Sequence, residues 1–544
     1  MRSLNSKDYI FITFIGFTLS IGLILFGVTG GSPYLFYLLS LIAVILVVIN
    51  PTMLFWLFLA AIPLDTTIVS PEWLPISLRP FQLFGILAIA GTVIHWIFRT
   101  FDLQPISFKK ICHICSILSK ECKTGERENF FGWFDRIIFC LPIFALLGVI
   151  NSPDKTLSLK LMFVLVSFVA LFWLIRTFTQ TKQQMFEALW FFAVGSVPVL
   201  FFGFYQILAV KSGLISFEIF DQRINGTFTE PDWFGMYLSI LIAVILWFRF
   251  ALLERKDRTM IGNLQVIKLL RAATIGDLFL MAILIILTVA RSAWLGLAAV
   301  LTAYIVLIFI RKKGTLLSKI SYSVKESLIQ VAIILSAAVF IWGAGLSTFH
   351  IVNRAASSVS GMQKITVSCE KNSKVPKKIE STDLLSEFGC FHINLENIEK
   401  EQKQGREVKE VFRPDPNINV RKKIYAISWS EIKKHPFLGQ GLGSSGIVLG
   451  EDEHGSNYNA SNIFLESWLS MGIGGFFLVL LIFFYPIFWS LKNIFKGRNI
   501  NSSSFVLLTA LAVLIPNMFN AGLLLGVVWA WIAITARMVV STEK

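Results

Sequence analysis

Charge is what this sequence is short of. Only 15% of its 544 residues are Asp, Glu, Lys or Arg, while 55% are hydrophobic. That balance excludes an ordinary soluble globular chain, because there is more apolar area than one core could hide. The glycines near residue 440 have no Gly-Lys-Ser/Thr ending and no preceding strand, which excludes a P-loop. No nucleic-acid-binding motif accompanies the net charge of +15. No repeat period points to a solenoid, and no clear two-fold repeat points to a transporter. No small-residue cleavage site follows the first apolar run, which therefore reads as a retained span and not a signal peptide.

What the sequence does have is apolar windows of the roughly 17–25 residues needed to cross a ~30 Å hydrocarbon core. They fall at 9–28, 33–49, 52–64, 81–98, 134–151, 158–177, 186–210, 233–251, 272–290, 293–310, 327–345, 462–490, 504–517 and 521–537. The expected fold is an all-α polytopic membrane protein of about 12–14 helices. Lys and Arg gather in 99–133, 252–271, 311–326 and 491–498, and connections 65–80, 152–157 and 211–232 are poor in them. Positive-inside topology then puts both termini in the cytoplasm and the second set of loops outside. Three regions result: helices over 1–345, a large external loop over 346–461, and C-terminal helices over 462–544. Within the loop, 370–412 is rich in Lys, Glu and Ser and reads as a mobile insertion. Val420 to Lys434 reads as a helix, broken by Pro436 and the glycines after it.

Three arginines share the outer side. Arg291 interrupts an apolar run in "ARSAWLGL"; the bland alternative is a snorkelling anchor of a tight hairpin. Arg223 opens "RINGTFTEPDWFGMYL", where Pro231 and Asp232 suit a helix start and Glu230 precedes them. Arg421 begins "RKKIYAISWSEIKKHPFLGQGLG", whose glycines, Gly441 and Gly443 among them, let backbone amides approach a ligand. Guanidinium groups bind phosphate oxygens bidentately, so an outer pocket lined by arginines suits a lipid-linked diphosphate. Further along, Asn462 and Glu466 lie one turn apart at the start of a span, after Glu451, Asp452, Glu453 and His454. The acidic trio reads better as a solvated turn than as a metal site, and no metal or other cofactor is expected. Cys369 and Cys390 share the outer loop and are expected to pair in an oxidising compartment. Cys112, Cys115, Cys122 and His113 fall in the cytoplasmic loop, too sparse a set for a zinc site.

Four stretches together resemble the O-antigen ligase and polymerase superfamily of membrane glycosyltransferases. They are the Arg223 and Arg291 stretches, the Arg421-to-glycine stretch and "ASNIFLESWLSMGIGGFF", in the family's order over roughly 223–476. The resemblance implies a GT-C-like helical fold in the inner (cytoplasmic) membrane. It implies a polyprenyl-diphosphate-linked oligosaccharide donor, a glycan or lipid acceptor, and a flippase and a chain-length regulator as candidate partners. Arg223, Arg291 and Arg421 become candidates for diphosphate contacts, and Glu466, Glu230 and His454 for the base that activates the acceptor. Glu230, Asp232, Gly441, Gly443 and Asn462 are the remaining substrate-binding candidates. Attack opposite the diphosphate inverts the anomeric centre without needing a metal. Ligases of the family carry His-Asn where this chain has Ser461-Asn462. That departure leans the expectation toward a polymerase of O-antigen or exopolysaccharide repeat units. A ligase is the alternative, and a solute transporter the reading from another class.

Overall fold

The computed structural model describes residues 6–28, 33–49, 51–65, 79–100, 132–217, 223–254, 264–346, 361–380, 382–393, 398–414, 416–450 and 457–540. The helices are α1 (Ser6–Val28), α2 (Pro33–Ile49), α3 (Pro51–Ala61), α4 (Pro80–Thr100), α5 (Trp133–Gly148) and α6 (Lys155–Phe178). Then come α7 (Lys182–Ser212), α8 (Pro231–Glu254), α9 (Leu264–Leu287), α10 (Arg291–Arg311) and α11 (Leu316–Gly343). After an interposed sheet follow α12 (Ile398–Lys403), α13 (Pro416–Lys434), α14 (Ser444–Leu449), α15 (Ile463–Phe495), α16 (Ile500–Asn517) and α17 (Gly526–Val540). Every apolar window of the sequence coincides with one of these helices. Among the described residues, nine helices are long and apolar enough to cross a membrane. The chain is a multi-pass, all-α membrane protein.

Local chemistry sets the helix limits. The Asp154 carboxylate accepts from Leu157 N at 2.9 Å and caps α6. Thr181 and Gln184 form a capping box at the start of α7, which ends on Gly213 in the left-handed conformation. Between helices the core is largely aromatic: Phe55 stacks on Phe178 at 4.6 Å, and Trp56 on Phe191 at 5.2 Å. Among the nine candidate spans, α8 and α16 are the most enclosed.

The segment between α11 and α13 differs from the expectation. The described residues of 370–412 carry regular structure. Strands β1 (Met362–Cys369), β2 (Cys390–His392) and β3 (Glu407–Pro414) form an antiparallel sheet in the order β2-β1-β3. Ile365, Val367, Leu385 and Val411 fill its small core, and Cys369 faces Cys390 across the ladder and is bonded to it. Glu410 of this stretch sits on the sheet's outward face, paired with Lys364, while Glu401 is buried and accepts from Ser368 Oγ at 2.8 Å.

The two ends of the bundle carry different chemistry. Opposite the sheet lie two buried ion pairs, Arg176–Asp135 at 2.8 Å and Arg249–Glu326 at 3.0 Å. At the sheet-bearing end, several segments meet: 62–65, 148–158, 223–232, 288–291, 436–450, 457–470 and 516–526.

Candidate active site

The site is built around a break between α9 and α10. Only Thr288, Val289 and Ala290 separate them, and Val289 takes φ +53°. A β-branched residue in that region is strained, and the neighbours must hold it. They do so directly: Ala290 N donates to Thr288 Oγ1 at 3.2 Å, and Trp294 Nε1 donates to Ile285 O at 2.9 Å. The sharp turn leaves the Thr288 carbonyl outside any helix ladder, and Arg223 Nε donates to it at 3.0 Å. Arg291 is then the first residue of α10, half-buried at the lip of the bundle.

Arg223 is placed by a buried polar loop. Asn225, Gly226 and Thr227 lie among apolar helices, where each amide needs a partner. Gln206 of α7 serves two of them: its Nε2 donates to Asn225 Oδ1 at 3.1 Å, and its Oε1 accepts from Gly226 N at 2.8 Å. Thr227 Oγ1 donates to Pro63 O at 2.6 Å. Asn225 is thus a structural residue, and its burial leaves no room for the glycosylation that its Asn-Gly-Thr context suggests. Asp232, in the first turn of α8, joins the two halves. One carboxylate oxygen accepts from Arg223 at 3.3 Å and the other from the Ser292 hydroxyl at 3.1 Å. Arg223, Asp232, Ser292 and Thr288 therefore form one network beside Arg291.

Arg421 reaches the same region by another route. Its guanidinium lies 5.5 Å from the Phe519 ring and donates to Phe519 O at 3.5 Å. Asn462 holds the neighbouring carbonyl, donating to Met518 O at 3.1 Å while its Oδ1 caps α15 at Phe464 N and Leu465 N. The turn they grip packs on the start of α8: Asn517 Nδ2 lies 3.2 Å from Met236 Sδ, and Gly522 packs against the Trp233 ring. Arg421 thus holds the turn that packs on the start of α8, while Arg223 and Arg291 stand at the break between α9 and α10.

The glycines after α13 serve a different contact from the ligand approach expected of them. α15 is broken at Gly472, where φ is +67° and ψ −169°, and the chain 436–441 is inserted into the break. Gln440 N donates to Leu469 O at 2.7 Å, Gly441 N to Ser470 O at 2.9 Å, and Ile473 N to Pro436 O at 3.0 Å. This is how non-helical backbone is tolerated inside a bundle of spans: each exposed amide and carbonyl finds a protein partner. Gly441 lies against Ser158 and Gly443 against Leu161, both on α6. Glu466 faces the same seam. Its carboxylate accepts from Ala460 N at 2.8 Å, Ser445 Oγ at 2.8 Å and Ser470 Oγ at 3.4 Å. Glu230, half-buried, contributes its carbonyl to Trp233 N and Phe234 N at the start of α8.

His454 and the acidic residues Glu451, Asp452 and Glu453 lie outside the described residues, as do Cys112, His113, Cys115 and Cys122. Sequence reasoning missed three participants. Ser292 stood next to Arg291, but its partner Asp232 is 60 residues away. The aromatic ring and carbonyl of Phe519, which hold Arg421, are 98 residues from it. The third is Arg79, which pairs with the buried Asp65 at 2.5 Å next to the Thr227–Pro63 contact. Its signal was an arginine in a connection otherwise poor in basic residues.

These features define a polytopic membrane protein with an arginine-rich polar site where several helix ends meet. Residues 278–480 match the family model described as O-antigen ligase. The match takes in Arg291, Arg421, Gly441, Gly443, Asn462 and Glu466, while Arg223, Glu230 and Asp232 precede it. Comparison of the whole chain with curated proteins gives no match.

Proposed function

We propose that the chain is an inverting glycosyltransferase that polymerises repeat units carried on a polyprenyl diphosphate, working at the outer face of the inner membrane. The observation that carries this reading is the network of Arg223, Asp232, Ser292 and Thr288 beside Arg291, at one lip of the bundle. Arginine forks so placed match the spaced oxygens of a diphosphate. In the proposed reaction the acceptor hydroxyl attacks the anomeric carbon of the donor sugar, and the bond to the diphosphate oxygen breaks. The departing group takes the electron pair, and its charge is stabilised by Arg223, Arg291 and Arg421. The hydroxyl proton passes to a base, a role assigned to Glu230, which shares its segment with Arg223. Glu466, bonded to Ala460, Ser445 and Ser470, is assigned to holding the seam between α14 and α15. Asp232 orients Arg223 and sets its charge against Ser292.

The match to a model described as O-antigen ligase favours one second reading, transfer of the finished glycan to a lipid acceptor. Purified protein in liposomes, given the lipid-linked oligosaccharide alone, distinguishes them. Lengthening of the lipid-linked chain supports the polymerase. Product formed only when a lipid acceptor is added supports the ligase. Directional solute uptake with neither product would overturn both.

A further inference from the structure

A second polar cluster lies at the opposite end of the bundle, and the reaction proposed above makes no use of it. The end of α8, the start of α9, the end of α10 and the first turns of α11 meet there. At its centre Arg249 is matched by Glu326: Nε and Nη2 donate to the carboxylate at 3.2 and 3.0 Å, and Tyr304 Oη approaches it at 3.5 Å. That pair is neutral and closed. The Arg249 Nη1 group completes its bonding on Arg271 O and Thr274 Oγ1.

Arg271, beside the pair, is not matched. Its Nη2 donates to Leu252 O at 2.9 Å, which fixes the guanidinium in place, while its Nε is buried without a hydrogen-bond partner. Ser323, one turn before Glu326 on α11, is 7% exposed, and its hydroxyl also lacks a partner. Tyr322 lies within electrostatic reach of Glu326, Arg271 and Arg249, and Lys312 sits 4.5 Å above its ring. Among the described residues, neither Arg271 nor Lys312 makes an ion pair. Among the described residues the cluster therefore holds two cations in excess of its carboxylate and two buried polar groups left unserved. Buried donors without partners are rare because each costs about 1–3 kcal/mol. The depth is informative too. Arg271 is two residues inside the apolar window Leu269–Leu287, and Lys312 directly follows α10. Both lie at the ends of apolar windows, where cations meet lipid headgroups, and the tied Arg271 is not free to snorkel away.

We infer that this cluster binds the phosphate group of an anionic phospholipid from the adjoining leaflet. Arg271 Nε and Ser323 Oγ donate to the phosphate oxygens, and Lys312 and Arg271 balance its charge. The same chemistry could be met by free phosphate, so the test uses both. Purified full-length protein is titrated with phosphatidylglycerol or phosphatidylcholine, and retained lipid is counted by native mass spectrometry, with and without inorganic phosphate.

The expected result is preferential retention of phosphatidylglycerol, reduced about tenfold by Arg271→Gln and less by Ser323→Ala, with Lys325→Gln unchanged. Lys325 is exposed on the same helix, so its variant removes one charge without touching the cluster. Displacement of the lipid by inorganic phosphate would support recognition of the phosphate group alone, and resistance to it would support a headgroup seated at bilayer depth. Because Arg271→Gln could unfold the chain, Ser323→Ala, which changes no charge, is read beside it under matched size-exclusion profiles. The inference is overturned if the two phospholipids bind equally, or if Lys325→Gln weakens retention as much as Arg271→Gln does. Glycan transfer is not the readout, so failure here leaves the proposed reaction untouched.

Discussion

Replacing Gly472 by alanine probes the break in α15 on which the seam with 436–441 depends. Two effects add. An L-residue held at φ +67°, ψ −169° loses about 1–3 kcal/mol relative to glycine. The new Cβ also enters the van der Waals shell of the Phe437 carbonyl, so the inserted chain must withdraw. Withdrawal endangers three backbone bonds, Gln440 to Leu469, Gly441 to Ser470 and Ile473 to Pro436, each contributing about 0.5–1.5 kcal/mol net. The sum is about 2.5–7.5 kcal/mol, a large share of the 5–15 kcal/mol that typically separates folded from unfolded protein. Gly343→Ala is the control, because a Cβ at Gly343 meets nothing within 4 Å and lies in a helix, where alanine is the better residue. In detergent, Gly472→Ala should melt on the order of 5 °C lower and lose transfer activity, while Gly343→Ala matches or exceeds the parent. Equal melting of the two variants would refute the account of the seam.

Arg291→Lys keeps the charge but not the planar fork, so a diphosphate role predicts a fall in chain elongation of roughly a hundredfold at normal protein level. Full-length polysaccharide in cells expressing Arg291→Lys would make Arg291 an anchor instead. The Cys369–Cys390 bond spans 21 residues, and removing it with the Cys369→Ser/Cys390→Ser pair should weaken the sheet by about 3 kcal/mol. Proteolysis of 370–412 should accelerate accordingly, and an unchanged rate would count against the bond as a stabiliser. Bonds from Lys434 and Gln440 hold the Glu431 carboxyl below its ordinary value of 4.5. A depressed folded value means the stabilisation is complete above that pH and is lost as pH falls through the folded value. Amide exchange at 436–441 should therefore rise below about pH 4.5, and Glu431→Gln should abolish that dependence.

How much of this was legible in the sequence depends on the range over which each feature is determined. A span is fixed by about twenty consecutive residues and the absence of water, so every apolar window became a helix, including the pair split at Asn50-Pro51. The sheet was hidden because its strands are short and its inward positions, Ile365, Val367 and Val411, alternate with Lys, Thr and Glu that dominate the composition. The arginines were legible as anomalies, since a cation in an apolar run is costly without a reason. Their partners were not. Asp232 reads as a helix-start residue, which it is, but only the fold brings Ser292 and Arg223 to its two oxygens. The glycines near 440 show the same limit from the other side. Glycine reports that something approaches the backbone closely, and here that something is the broken α15. A sequence therefore shows where a membrane bundle tolerates an exception to its apolar rule, and the paired geometry decides what the exception does. By that reasoning Arg291 and Arg271, similar interruptions of apolar windows, part company. The first adjoins a network that Asp232 and Thr288 complete, and the second retains a buried donor with nothing to bind.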